Sequence, residues 1–369
     1  MAREYPYIAV ADNYFCTHCS LLSLTRIFLF RYKKLYLGAF DIQRRQLPTL
    51  LKAIWKFRKN GPSATTDAVS LPISGDLCIP VHHGYKIFDL SRLTATKYFT
   101  DDVESSVIQA EVNRVRDASG LPFTPELLEV DPDGRWYRES FIPGDRSSRN
   151  DKSDPPVQFR ETIGNYLAKI VHSRPDRMTS VDTYLRGLEN SLKQKTDTLG
   201  ADDELCPAIN AFICRVAARL EPSRQMQIQI AFTHGDFSFV NFIFGRKGIT
   251  IIDWEGADYR SLLHDLYNYF FTEHYYGRYQ PINHDTFTDA IEHFGLCLAA
   301  EGGQPGDTRT LSGDVYRLLY YLERMQMLLD RKASPEQRNV ILRSIEIFDQ
   351  YESGRLQDRT PQANKPEAE

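Results

Sequence analysis

Between Phe232 and Glu255 the chain gathers side chains that chemistry can use: Thr233-His234-Gly235-Asp236-Phe237-Ser238-Phe239-Val240-Asn241, then Ile251-Ile252-Asp253-Trp254-Glu255. A carboxylate, an amide and a second carboxylate stand at the ends of two short apolar segments. These are Phe242-Ile243-Phe244 and Ile249-Thr250-Ile251-Ile252, joined by Gly245-Arg246-Lys247-Gly248. The pattern predicts strand, turn, strand, and a hairpin of this size brings Asn241 and Asp253 to one end. Hard oxygen ligands meeting there suit Mg²⁺, which takes few protein carboxylates and fills its shell with phosphate oxygens. Asp236 precedes Asn241 by five residues and is expected to project from the loop opposite the metal. Taken singly, an Asp or Asn in a loop is more often a turn cap; the joint pattern carries the reading.

The elements that must hold these groups are legible as changes of hydrophobic period. From about Leu71 the chain turns to short strands: 85–90 and 93–99 flank a tight turn at Ser91-Arg92. Ser106, Val107, Ala110, Val112 and Val115 follow on a helical scatter, ending near Ser119-Gly120. Segments 128–130 and 136–142 predict two more strands around the turn Asp131-Pro132-Asp133-Gly134. Pro143-Gly144 breaks this run, and 145–156 is a polar linker. Beyond it Phe159, Ile163, Tyr166, Leu167, Ile170 and Val171 recur at helical spacing, 208–220 predicts another helix, and 260–350 is helical and rich in Tyr, Leu and Phe. From Gly354 the tail is polar, free of aromatics and expected to be disordered.

The set His234-Gly235-Asp236, Asn241 and Asp253 resembles the catalytic loop and metal site of the aminoglycoside phosphotransferase and choline kinase superfamily, which shares the protein-kinase-like fold. That resemblance implies an α+β, two-lobe protein-kinase-like architecture, with a small antiparallel-sheet N-lobe, a mainly helical C-lobe and, in this chain, a basic helical N-terminal extension. The boundaries expected are 1–66 for the basic amphipathic extension, 67–143 for the nucleotide-binding lobe, 144–352 for the helical catalytic and substrate lobe, and 353–369 for the tail. The implied activity is ATP- and Mg²⁺-dependent phosphorylation of a hydroxyl. Asp236 would take the acceptor proton, and Asn241 and Asp253 would hold the metal. Lys97, in Ala95-Thr96-Lys97-Tyr98, stands where the superfamily places the lysine of the α and β phosphates. Glu111, fourteen residues on, is its expected partner in preference to Glu104. Arg138 to Gly144 resembles the hinge, with the backbone of Glu139, Ser140 and Phe141 against the adenine. Asp265, in Leu263-His264-Asp265-Leu266, resembles the structural Asp that follows the metal motif. No Gly-x-Gly run precedes Lys97, which leaves the phosphate-covering loop unassigned.

Glu255 stands where protein kinases have Gly and resembles the choline-kinase side of the superfamily. Trp254 and Glu255, with Tyr269 and Tyr275, could then hold an ammonium group, although an aromatic cluster such as Tyr267 to Tyr279 is more often core. The acceptor implied is a small molecule: a choline-like amino alcohol, or a sugar or aminoglycoside-like compound. Two alternatives stay open. One is a lipopolysaccharide or lipid-linked saccharide kinase at the membrane surface; the other is a catalytically silent kinase-like binding module, against which Lys97, Asp236, Asn241 and Asp253 stand together.

Composition bounds these readings. The 369 residues are 42% apolar and 25% charged, which excludes wholesale disorder. No apolar run approaches the roughly 20 residues needed to cross a bilayer. Residues 1–14 lack the pattern of a secretory signal, and six cysteines form no dense framework. A cytoplasmic protein is expected. Its net charge of −4 hides an asymmetry: residues 1–60 hold 11 Lys or Arg against 3 acids, giving +8 and leaving −12 for the rest. The basic, aromatic stretch 21–37 and the run Leu50, Leu51, Ile54, Trp55 and Phe57 fit either a peripheral contact with anionic membrane or helices packed on the chain's own core. No nucleic-acid partner is expected from a body this acidic. Cys16-x-x-Cys19 with Cys78 and His82 allows a zinc reading, but two buried thiols are the more ordinary one.

Overall fold

The computed structural model describes residues 4–10, 13–18, 47–60, 68–143, 145–146, 155–199, 203, 205–245, 248–277, 282–302, 313–330 and 335–354. The chain forms two compact units: Met1–Asn150 with Phe239–Glu255, and Asp151–Ser238 with Gly256–Glu369.

The first unit is built on an antiparallel sheet whose strands are rich in aromatic and β-branched residues. Its strands are β1 (Tyr5–Val10), β2 (Asn13–Cys16), β3 (Ala68–Leu71), β4 (Leu77–Val81), β5 (Gly84–Asp89), β6 (Thr94–Phe99), β7 (Leu127–Val130) and β8 (Trp136–Ser140), in the spatial order β3-β1-β2-β4-β5-β6-β8-β7. Tyr7, Phe15, Leu71, Leu77, Phe88 and Ala95 fill one core. Helix α1 (Leu47–Asn60) packs Leu50, Ile54 and Phe57 into it. This corrects the expectation of a purely helical front extension. Tyr5–Val10 and Asn13–Cys16 are two strands of the sheet: Tyr7, Ile8 and Phe15 are buried in its core, and the Tyr7 hydroxyl donates to the Ile73 carbonyl at 2.9 Å. The basic run 21–37 and Cys19 lie outside the described residues, as does the tail from residue 355.

The predicted hairpin of β5 and β6 forms with Lys86 opposite Lys97. Helix α2 (Ser105–Ala118) follows, and its buried stripe is Ile108, Glu111, Val112, Val115 and Ala118. Val107, part of the expected helical scatter, is exposed, and the buried stripe runs instead through Ile108, Glu111, Val112 and Val115. A carboxylate therefore sits in an apolar face. Later in the chain β9 (Asp145–Arg146), β12 (Phe242–Gly245) and β13 (Gly248–Ile251) make a small sheet in the order β13-β12-β9, and Phe242 pairs with Ile251.

The second unit is helical around a three-stranded sheet of β10 (Arg177–Ser180), β11 (Gln227–Thr233) and β14 (Asp258–Ser261). A single helical turn, Pro155–Gln158, and a π-helical stretch, Phe159–Ile163, lead into α3 (Gly164–His172). Then come α4 (Val181–Leu199), α5 (Leu205–Leu220), α6 (His264–Tyr275), α7 (His284–Ala300), α8 (Gly313–Leu329) and α9 (Pro335–Glu352). Helices α6 and α8 are buried on nearly every side, which explains the density of Tyr and Phe in 260–330. Phe271 stacks on Tyr320 at 5.6 Å, and Tyr321 on Phe348 at 4.2 Å. Among the described residues no helix is long and apolar enough to cross a membrane.

Helix α1 separates its two apolar sets by one residue of helical rotation. Leu50, Ile54 and Phe57 are inside, whereas Leu51 and Trp55 face outward, Trp55 at 63% exposure. Ile54→Ala should therefore cost about 2–4 kcal/mol of stability, and Trp55→Ala less than about 0.5 kcal/mol, both measured by chemical denaturation.

Candidate active site

In the first unit the site is organised by a buried cation. Lys97 points off β6 toward α2, and its ammonium lies 2.7 Å from Glu111 Oε1. Glu255, at the end of the segment that follows β13, supplies a second partner through Oε2. The Tyr137 hydroxyl donates to Glu111 Oε1 at 3.0 Å. Burial works against the charge on Lys97, but Glu255 and Glu111 outweigh it and raise the ammonium above the usual lysine range. Burial is also the largest influence on Glu111 and pushes it up to about 7; Lys97 opposes that, and the charge of Glu255 adds to it. With Lys97 and Glu111 buried and Glu255 reaching in from a partly exposed position, a proton stays near neutrality on Glu111.

The β12–β13 hairpin sets the second feature of this unit. Ile252 N–H donates to the Asn241 carbonyl at 2.9 Å, so Asn241 and Asp253 stand at one end of the ladder. Asp253 adopts a left-handed backbone, φ 71°. Asp tolerates that region better than most residues, at a cost of about 1–3 kcal/mol. Its neighbours hold it there: Trp254 Nε1 donates to the Ile251 carbonyl at 2.8 Å, and Arg114 donates to the Glu255 carbonyl at 3.2 Å. Among the described residues no three His, Cys, Asp or Glu side chains converge as a complete metal cage. An amide oxygen and one carboxylate are the donor set of an ion that keeps water and phosphate oxygens in its shell, so the pair fits Mg²⁺ rather than a structural zinc.

The second unit carries the loop with Asp236. Strand β11 delivers Thr233, after which the backbone turns sharply at Gly235, φ 86°. A Cβ at that position would run into the Gly256 carbonyl oxygen, so only glycine fits. Asp265, in the first turn of α6, accepts from His234 N–H at 2.6 Å and from Gly235 N–H at 2.9 Å. His264 closes the loop from the other side, with Nε2 3.2 Å from the Gly235 carbonyl and Nδ1 2.7 Å from Glu323 Oε2. Glu323, fully buried in α8, also accepts from Ser261 N–H at 2.8 Å and the Tyr184 hydroxyl at 2.6 Å. Burial acts to raise the Glu323 carboxyl, but the bond and charge of His264 and the further donors win and hold it below the usual range. Asp236 itself is half-buried, with its N–H on His234 Nδ1 at 3.2 Å and Arg324 Nη1 3.5 Å from Oδ1.

Other residues singled out from the sequence have plain placements. Glu139 is buried in β8 and paired with Lys86 at 2.8 Å. The N–H groups of Ser140 and Phe141 are occupied by the carbonyls of Glu126 and Leu93 at 2.9 and 2.8 Å. Trp254 is buried; Tyr269 lies wholly within the aromatic core beside Phe159, Phe237 and Phe270; Tyr275 is half-buried. Glu255 is engaged with Lys97. Cys16 and Cys78 are buried, and burial together with the neighbouring Cys16 pushes the Cys78 thiol up, away from the thiolate a metal needs. Sequence spacing did not reveal Glu323 or Arg324, which reach the loop from about 90 residues away in the chain. The His-Asp pair at 264–265 was the one local signal that such a support existed.

A family model described as the phosphotransferase enzyme family matches residues 108–291. The chain belongs to the aminoglycoside phosphotransferase and choline kinase superfamily. No curated protein matches it. Among solved structures it is similar to the choline kinase LicA from Streptococcus pneumoniae, with 13% identity, a TM-score of 0.52, and 73% of this chain and 90% of that one covered. A choline kinase from Cryptosporidium parvum gives 15%, 0.48, 78% and 90%. An amicoumacin kinase in complex with AMP-PNP and Ca²⁺ gives 15%, 0.44, 76% and 87%. At such identities the likeness to the first structure shows the fold, which is α+β and protein-kinase-like.

For this phosphotransferase, the raised Glu111 has a measurable consequence. Unfolded, the group ionises near 4.5; folded, it keeps its proton to about 7. Across that window the native state binds more protons, so stability is highest below it and falls as pH rises through it. Chemical denaturation of the protein and of Glu111→Gln at intervals from pH 4.5 to 8 checks this: the slope between 4.5 and 7 should flatten in the variant, whatever its absolute stability.

Proposed function

We propose that the protein is an ATP- and Mg²⁺-dependent kinase that phosphorylates a hydroxyl of a small-molecule or saccharide acceptor. The observations that carry this reading are a buried, doubly countered Lys97 and an Asn241–Asp253 donor set within the first unit and, within the second, a backbone-clamped loop that presents Asp236. Lys97, kept charged by Glu111, binds the nucleotide phosphates. Mg²⁺ on Asn241 and Asp253 would neutralise charge on the transferring phosphoryl group. Asp236 orients the acceptor hydroxyl and receives its proton as the bond to phosphorus forms. Because transfer of this kind is loose, rate comes mainly from positioning and fixed charge.

A choline-like acceptor would need an anionic or aromatic wall. Glu255 is turned to Lys97, and Trp254 and Tyr269 are covered, which weakens the amino-alcohol version relative to a neutral or anionic one. The reading of a membrane-surface saccharide kinase keeps one specific support. The outer face of α1 exposes Trp55, with Lys59 Nζ 5.1 Å from its ring, among the exposed Lys52, Lys56 and Arg58. That is the profile of a contact with anionic lipid. Sedimentation with vesicles of anionic phospholipid at low and moderate salt tests it; a protein that stays in the supernatant at low salt excludes this version.

Calorimetric titration of Mg·ATP decides the nucleotide reading. The intact protein should bind, and Asp253→Ala should lose the metal-dependent part. Asp236→Asn should retain nucleotide binding while turnover falls by about 10²–10⁴-fold, followed as ADP release across a panel of sugars, amino alcohols and aminoglycosides. Failure of the intact protein to bind Mg·ATP would favour a silent binding module.

A further inference from the structure

Helix α8 carries two arginines, Arg317 and Arg324, in different settings. Arg317 is buried and fully countered: it reaches Asp314 Oδ1 at 2.5 Å and Glu352 Oε1 and Oε2 at 2.8 and 3.4 Å. A buried guanidinium requires such partners. Arg324 is nearly as enclosed, its side chain 17% exposed, but among the described residues its carboxylate partner is Asp236 alone, at 3.5 Å. One long contact uses little of a planar fork with five N–H donors. The rest of that fork stands beside the carboxylate proposed to receive the acceptor's proton. The half-buried Tyr275 on α6 feels the positive charge of both Arg343 and Arg324; Arg343 has a closer carboxylate, Glu346 at 2.7 Å, than Arg324 has in Asp236.

We infer that Arg324 is the anion-binding side chain of the acceptor site, so that the acceptor is an alcohol that also carries a phosphate or a carboxylate. This rests on the proposed role of Asp236. A guanidinium next to the base repels an ammonium group, and binds an oxyanion through two parallel N–H bonds while one donor stays on Asp236. In the reaction the acceptor oxygen forms a bond to the γ-phosphorus of ATP. The bond from that phosphorus to the β-bridging oxygen breaks, its electron pair leaves with ADP, and the hydroxyl proton passes to Asp236. The anion on Arg324 fixes which hydroxyl is presented.

Thermal unfolding of the full chain provides the test, with inorganic phosphate, glycerol 3-phosphate, glycerate or glycerol added, with and without saturating Mg·AMP-PNP. The anions should raise the unfolding temperature in the presence of the nucleotide analogue, and glycerol should not. Phosphate and carboxylate are separated by which of the two glycerol derivatives acts. Arg324→Gln should weaken the anion effect at least about tenfold, and Arg324→Lys, which keeps a point charge without the fork, should retain part of it. No anion effect in the unaltered protein, or an equal effect in Arg324→Gln, overturns the inference, as does ADP release driven better by choline than by the anionic alcohols. Nucleotide binding without an Arg324-dependent anion effect would sink this inference and leave the kinase reading intact; an Arg324-dependent anion effect without nucleotide binding would overturn the kinase reading and, with it, the assignment of Arg324 to an acceptor.

Discussion

A lysine ammonium cannot lie in a protein interior without compensation, and meeting that demand for Lys97 organises the first unit. The residue sits on β6, between β5 and β8, with its side chain essentially closed off from water. Its partners come from separate elements: Glu111 from the buried stripe of α2, Glu255 from the segment after β13, and Tyr137 on β8 acting through Glu111. Losing one partner of a buried pair typically costs about 3–5 kcal/mol, because the remaining charge is stranded. Sheet, helix and hairpin are therefore tied together at this one charge. An apolar replacement could pack as well, but it would leave no charge to use.

The second unit meets a similar demand with backbone donors. A tight turn at Gly235 leaves amide N–H groups that no ladder can satisfy, and the Asp265 carboxylate takes two of them. His264 and Glu323 secure the Gly235 carbonyl from the opposite side. The turn is thus fixed at its donors and its acceptor together, and Asp236 inherits that fixed position. Glu323 tolerates complete burial only because His264, Ser261 and Tyr184 all donate to it.

How much of this the sequence reveals depends on how local the cause is. The β5–β6 hairpin, α2 and the β12–β13 hairpin are legible, because period and turn residues lie within a few positions of one another. The pairing of Asn241 with Asp253 at one hairpin end follows from turn length alone. Strands β1 and β2 are not legible as sheet members, since their partners β3 and β4 lie some 60 residues on; nearby basic residues suggest helices instead. The face of α1 is only half legible: Leu51 and Trp55 look like core until the 100° step from Leu50 and Ile54 is respected. The support from Glu323 is invisible locally, because its partner His264 is 59 residues earlier. Glu255 marks a different limit. Its chemistry is evident, but whether it faces a ligand or Lys97 is decided by the fold.

Backbone strain is placed with the same economy. Among the described residues, left-handed non-glycine backbone occurs at His83, Leu93 and Asp253. The first two fall at hairpin turns, where the chain reverses between strands of the sheet. Asp253 has no such reversal to serve. It is held in place because Ile252 is bonded to Asn241 before it, and the indole of Trp254 and the carbonyl of Glu255 are bonded after it. Strain survives where the surroundings over-determine it, and it re-aims the side chain that bears it. At Gly235 the same left-handed region is reached without strain, because no Cβ has to fit against Gly256. One loop thus reaches its geometry by omitting a side chain and the other by clamping one, and in each a carboxylate ends up held by the chain around it rather than by its own rotamer preference.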